Sequence, residues 1–106
     1  MKAMKATRRL RRMETEIYRP QDYPKPVLAK LKAMAAPLAI TIANRWMRGW
    51  PKVVKLHLKS GEYLGFLKAQ EEAERRALAD PTTHHLAHHE IAELYDLSPK
   101  PPMPGP

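Results

Sequence analysis

The sequence predicts a small all-α protein, a bundle of four to five short helices. Apolar residues recur three and four positions apart in several separate segments. The eleven prolines of the 106-residue chain stand between those segments or at their first turns. This length suits a single domain. We place it at residues 25–97, between a basic arm with an extended segment (1–24) and a proline-rich tail (98–106).

The N-terminal part is predicted to be irregular. Residues 1–13 contain six Lys/Arg and no Asp/Glu, and such a segment is largely unfolded, or a fraying helix, in water. Residues 14–26 contain three prolines together with Tyr18 and Tyr23. Repeated proline favours an extended chain, in which the two tyrosines would anchor the segment.

Two helices follow. The first runs from about Lys25 to Ala36, with proline in its first turn and one apolar stripe, and Pro37 ends it. The second runs from about Leu38 to Arg48 and is apolar over a wide face, which predicts deep burial.

Residues 52–59 allow two interpretations. Val54, Leu56 and Leu58 alternate with polar residues, which is typical of a strand, here at 53–58. Val54 and Leu58 are also one helical turn apart. A turn at Ser60-Gly61 follows, and no second strand comes after it, so we favour a short helix.

The C-terminal half predicts two more helices and a tail. One runs from Glu62 to about Leu78, with Glu–Arg pairs four residues apart at 71/75 and 72/76. Asp80-Pro81 is a helix start signal, from which we expect a last helix to about Leu97. Five prolines between 99 and 106 predict an extended, mobile tail.

Two short stretches carry local resemblances. Ser60-Gly61-Glu62-Tyr63, followed by Ala73, is similar to the turn and second helix of a tetratricopeptide repeat, which implies a helix–turn–helix hairpin. Residues 89–98 resemble the first helix and turn of a bacterial helix-turn-helix motif. Prolines occupy residues 99, 101 and 102, where that motif has its recognition helix, so no DNA-contacting residue carries over.

The charge is strongly divided along the chain. Residues 1–59 contain fifteen Lys/Arg and three Asp/Glu, whereas residues 60–106 contain four and eight. A basic half attracts polyanions, and we predict a nucleic-acid-associated accessory protein, with DNA and RNA both open. The candidate phosphate-binding residues are Arg8, Arg9, Arg11, Arg12, Arg45, Arg48, Lys52, Lys55 and Lys59. Trp46 and Trp50 lie among them and would stack on bases or pack in the core.

The alternative is a protein–protein adaptor, assembly factor or inhibitor inside a larger complex. The basic half would then face an acidic protein surface. The candidate anchors are Tyr18, Tyr23 and Trp50, since exposed aromatic residues are common at interfaces. A chain of this size buries a modest core, so a homodimer would add stability.

The histidines suggest a weaker metal hypothesis. On one helix His84 would pair with His88, and His85 with His89, at a chelating spacing. The only other histidine is His57, and a structural zinc site needs four ligands, so we expect adventitious binding and no cofactor.

Other function classes are disfavoured. The chain has no cysteine, Gly-rich phosphate loop or G-x-S-x-G motif, and we expect no enzyme activity. The longest apolar run, residues 34–43, is about half of a membrane span and contains Pro37, so we expect no membrane insertion. A cysteine-free chain without a secretory signal suits the cytoplasm.

Overall fold

The computed structural model describes residues 14–34, 36–83 and 85–104. These residues form five α-helices and no strand, which confirms the predicted all-α class. The helices are α1 (Lys25–Met34), α2 (Pro37–Gly49), α3 (Pro51–Ser60), α4 (Tyr63–Leu78) and α5 (His88–Leu94), and two 3-10 turns lie at Pro20–Asp22 and Pro81–Thr83. No helix in these ranges has the length and apolar character to cross a membrane.

Helix α2 is the centre of the bundle. It contacts α1, α3 and α4, and α4 in turn contacts α3 and α5. Its sequence explains this position, because apolar residues from Leu38 to Met47 occupy most of its circumference and are buried. Ala36 is extended before Pro37, as proline requires of the residue it follows, and this separates α1 from α2.

Three aromatic side chains form the middle of the core. The ring of Tyr63 lies 6.2 Å from that of Trp46 at 83°, and 5.8 Å from that of Tyr23 at 60°. Edge-on packing of this kind is favourable for aromatic pairs. Burial raises the pKa of both tyrosines above its ordinary value. The predicted anchoring of the extended segment is therefore fulfilled by Tyr23, which is 5 % exposed.

Residues 52–59 are helical, so the strand interpretation is wrong. Val54 and His57 are buried on the inner side of α3, whereas Leu56 is 52 % exposed. The helix ends at Gly61, which has φ +81°. The amide of Gly61 donates to the Leu58 carbonyl and that of Glu62 to the His57 carbonyl, which is a Schellman motif. The predicted hairpin of α3 and α4 is therefore confirmed.

The predicted last helix is wrong in its first half. Asp80 does act as a cap, because its Oδ1 accepts from the amide and hydroxyl of Thr82. The element that it starts is only the 3-10 turn at Pro81–Thr83. Ala87 is extended, at φ −74° and ψ 160°, and its amide donates to the Glu90 carboxylate. Helix α5 therefore begins at His88 rather than near Pro81.

The prediction of a mobile tail is also wrong for residues 98–102. These residues lie against α2, α3 and α4, whose side chains donate hydrogen bonds to the tail carbonyls. The side chain of Pro101 is fully buried. The tail is therefore part of the packed structure.

Candidate nucleic-acid interface

Three of the predicted phosphate-binding residues form a row on the outer side of α3. Lys52, Lys55 and Lys59 are exposed, and their spacing of three and four residues places them on one helical face. From Lys52 to Lys59 the row extends about 10 Å along the axis, at 1.5 Å per residue. Leu56 lies beside it and is half exposed. We call these three lysines the lysine row.

The lysine row has no acidic neighbour within its own helix. Helix α3 contains no Asp or Glu, so the i,i+4 ion pairs common on exposed helices cannot form there. In the described ranges every ion pair uses an arginine, and none uses a lysine. The positive charge of this face is therefore not neutralised by described carboxylates.

Arg45, unlike the lysine row, is paired with a carboxylate. Its guanidinium holds Glu74 with two nitrogens, Nη2 at 2.6 Å and Nη1 at 3.3 Å from the carboxylate oxygens. Its Nε donates to the Pro99 carbonyl at 3.0 Å. The bidentate pair and the tail carbonyl thus engage all three guanidinium nitrogens of Arg45 within the fold.

Arg48 is also paired with a carboxylate of the same chain. Its two terminal nitrogens lie 2.7 and 2.9 Å from the carboxylate of Glu14. Its guanidinium carbon is 4.7 Å from the ring centroid of Tyr18, a cation–π contact. Hydrogen bonding to Glu14 raises the pKa of Arg48. The other four predicted arginines, Arg8, Arg9, Arg11 and Arg12, lie outside the described residues.

The predicted aromatic anchors fall into different environments. Trp46 is fully buried and donates from its indole nitrogen to the Pro99 carbonyl at 3.2 Å, so it packs in the core and does not stack on bases. Tyr23 is also in the core and is not accessible to a partner. Tyr18 is 36 % exposed, and Trp50 is half-buried at the break between α2 and α3.

The predicted pair His85 and His89 does not share a helix. His84 lies outside the described residues, and His85 is in an exposed turn. His88 and His89 open α5, so the premise of two chelating pairs one turn apart on one helix is wrong. Within the described ranges no group of three or more histidine or acidic residues could hold a metal ion.

The sequence did not predict the hydrogen bonds that hold residues 14–18 against α2, which we call the clamp. Asn44 is fully buried; its Oδ1 accepts from the Tyr18 amide at 2.7 Å, and its Nδ2 donates to the Glu16 carbonyl at 2.8 Å. The Glu14 amide donates to the Thr41 hydroxyl at 2.7 Å. The available signal was an asparagine within the most apolar helix, since a buried amide needs partners.

These contacts fix the position of Glu14 on α2. Glu14, the first described residue, is bound to Arg48 near the end of α2. Lys52 follows Arg48 by four residues, a distance of at most about 15 Å between Cα atoms. Glu14 is therefore held by a residue of α2 that precedes the start of the lysine row by four positions.

No protein-family model, curated protein sequence or solved structure matches this chain.

Proposed function

We propose that the protein binds the phosphate backbone of nucleic acid through the arm of residues 1–13 and the lysine row. The observation that carries this proposal is the division of cations in the fold. All five described arginines are paired with carboxylates, whereas Lys52, Lys55 and Lys59 share an exposed face that has none. The arm of residues 1–13 contains six further cations.

The expected binding by the lysine row is independent of base sequence. Lysine is a flexible point charge that does not form the planar bidentate contacts by which arginine reads guanine. Asparagine is a residue type that reads adenine, but the side chain of Asn44 is hydrogen-bonded inside the fold. A row of about 10 Å matches about three phosphate steps of one strand at 3.4 Å each. The affinity would thus come from counterion release.

The folded part is nearly neutral as a whole, so the position of its charges matters more than their number. From residue 14 onwards the chain has thirteen Lys/Arg and eleven Asp/Glu. Long-range attraction to a polyanion would therefore come from the arm, and the lysine row would supply contacts from the folded part.

The test is fluorescence anisotropy with labelled duplex and single-stranded oligonucleotides over a salt series. The affected variant is Lys52→Gln/Lys55→Gln/Lys59→Gln. The matched control changes the same number of exposed lysines on α1, at Lys25, Lys30 and Lys32. Each lost phosphate contact lowers the slope of log K against log salt by about 0.9 on duplex DNA, so we expect a decrease of roughly 2–3 for the row. The control should change the slope by less than about 1.

A chain lacking residues 1–13 measures the contribution of the arm. With six cations removed, the slope should fall by up to about 5. Equal effects of the two lysine variants would refute the role of the row. Absence of binding by the unmodified chain at low salt would refute the function, and would favour the acidic protein surface as the partner of the basic half.

A further inference from the structure

The proline-rich tail is held by side-chain donors of the bundle. The carbonyl oxygen of Pro99 accepts two hydrogen bonds, from Arg45 Nε at 3.0 Å and from Trp46 Nε1 at 3.2 Å. Both donors come from α2. A fully buried indole N–H needs an acceptor, and here the tail provides it.

Helices α3 and α4 hold the residues on either side. Gln70 Nε2 donates to the Ser98 carbonyl at 3.0 Å. His57 Nε2 lies 2.5 Å from the Pro102 carbonyl, and since a carbonyl only accepts, this nitrogen carries the proton. Between them the ring of Pro101 is fully buried. We call the surface formed by Arg45, Trp46, His57 and Gln70 the tail groove.

The groove and its occupant are chemically complementary. All four groove side chains donate a hydrogen bond to the tail, and each of these bonds is accepted by a backbone carbonyl. Three of residues 98–102 are prolines, which have no N–H to satisfy. The Lys100 amide is bonded within the tail, to the Ser98 hydroxyl at 3.1 Å. A segment without proline would present amides for which these contacts supply no acceptor.

The donors are held in place by an acidic residue beneath them. The carboxylate of Glu74, whose side chain is 14 % exposed, binds both terminal nitrogens of Arg45 and also accepts from Gln70 Nε2 at 2.7 Å. Arg45 and Gln70 thereby keep a further N–H directed at the tail. Such preorganisation lowers the ordering cost of binding.

We propose that the tail groove is a binding site for proline-rich peptide segments of a partner protein, and that residues 98–102 occupy it in cis. The groove contacts carbonyls and one proline ring, and none of its described hydrogen bonds goes to a tail side chain. Any extended segment with the pattern S-P-x-P-P presents the same groups. Residues 98–102 lie outside every described helix, so the tail can leave the groove without unfolding one.

The test loosens the tail in the full chain. In the variant Pro99→Gly/Pro101→Gly/Pro102→Gly the tail loses its buried ring and its stiffness. A fluorescein-labelled peptide of residues 97–104 is then titrated, with circular dichroism to confirm folding. We expect saturable binding to this variant. Binding to the Pro104→Gly control should be at least tenfold weaker, because the intact tail competes at a millimolar effective concentration.

Two controls make the test specific to the groove. A peptide with alanine in place of the prolines at 99, 101 and 102 should not bind. Within the loosened chain, Gln70→Met removes one donor and should weaken binding about fivefold, as expected for one hydrogen bond. Gln21→Met, the same change at the chain's other, exposed glutamine, should leave the affinity unchanged.

Each other outcome would overturn the proposal. A folded variant that does not bind the peptide would show that the groove is no ligand site. A variant that no longer folds would show that the tail is a structural element of the core. Light scattering on the unmodified chain should give a monomer, since a dimer that exchanges tails would make a second copy, rather than a partner protein, the occupant.

Discussion

Replacing Asn44 with alanine should detach the segment of residues 14–18 from α2. The Asn44 amide makes three hydrogen bonds, to the Tyr18 amide, the Glu16 carbonyl and the Glu14 carboxylate, at 2.7, 2.8 and 3.1 Å. Its partners come from 26 to 30 residues earlier in the chain, so the loss concerns tertiary structure and not the helix itself. Alanine is a better helix former than asparagine, which slightly offsets the loss.

The expected loss of unfolding free energy follows from the number of hydrogen bonds removed. At a net value of about 1 kcal/mol each, three bonds amount to about 3 kcal/mol of unfolding free energy. For a domain of this size 1 kcal/mol corresponds to about 4–8 °C in Tm. We therefore expect Tm to fall by about 12–24 °C, with little loss of helical signal below the transition.

The assay is thermal and urea denaturation followed by circular dichroism, with Thr41→Val as the companion variant. Thr41 holds the Glu14 amide at 2.7 Å, so its replacement should cost about 1 kcal/mol. Because both side chains hold the same segment, the double variant should cost less than the sum of the single ones. This account of the clamp would be contradicted if Asn44→Ala lowered Tm by less than about 3 °C. It would also be contradicted if the losses of stability in the two single variants added strictly in the double variant.

Two further predictions concern the hairpin and the aromatic core. Gly61→Ala should destabilise the protein by about 1–2 kcal/mol, because Gly61 has φ +81°. Gly65 lies inside α4 with open space around it, so Gly65→Ala should stabilise the protein by about 0.5–1 kcal/mol. Changes of the same sign in the two variants, measured by urea denaturation, would contradict this. Tm should also fall as the pH rises from 9 to 11. Unfolded tyrosine loses its proton near pH 10, and burial raises the pKa of Tyr23 and Tyr63, so ionisation favours the unfolded state above pH 10. Tyr63→Phe should flatten this decline, and a Tm independent of pH would refute the reasoning.

The first four helices could be predicted because their signals are local. The bounds of α1 to α4 agree with the sequence prediction within about two residues, since apolar spacing, proline and glycine mark them directly. At residues 80–97 the same signals misled, because a capping aspartate followed by proline also suits a 3-10 turn. The choice between the two depends on how Ala87 and Glu90 start a separate helix, α5.

Among the ion pairs, too, only those between residues close in sequence could be predicted. The pairs Glu71–Arg75 and Glu72–Arg76, predicted from their spacing, are present at 3.5 and 2.5 Å. The Arg45–Glu74 pair joins residues 29 apart, and nothing in the local sequence distinguishes Arg45 from a free surface cation. The prediction of a mobile tail was wrong for a similar reason. Its prolines predict an extended shape, but its attachment depends on donors from three different helices.

Helix α2 explains why the charge pattern of the chain differs from the charge pattern of its surface. Asn44 and Arg48, one turn apart, hold the N-terminal segment, and Arg45 holds the tail from a neighbouring position. Two of the cations that make the first half basic therefore attach Glu14 and Pro99 to α2. Arginine suits this task because its planar donors can serve a carboxylate and a carbonyl together. Under the proposed function, contacts to a phosphate backbone would therefore be made by the lysine row and by the cations of residues 1–13.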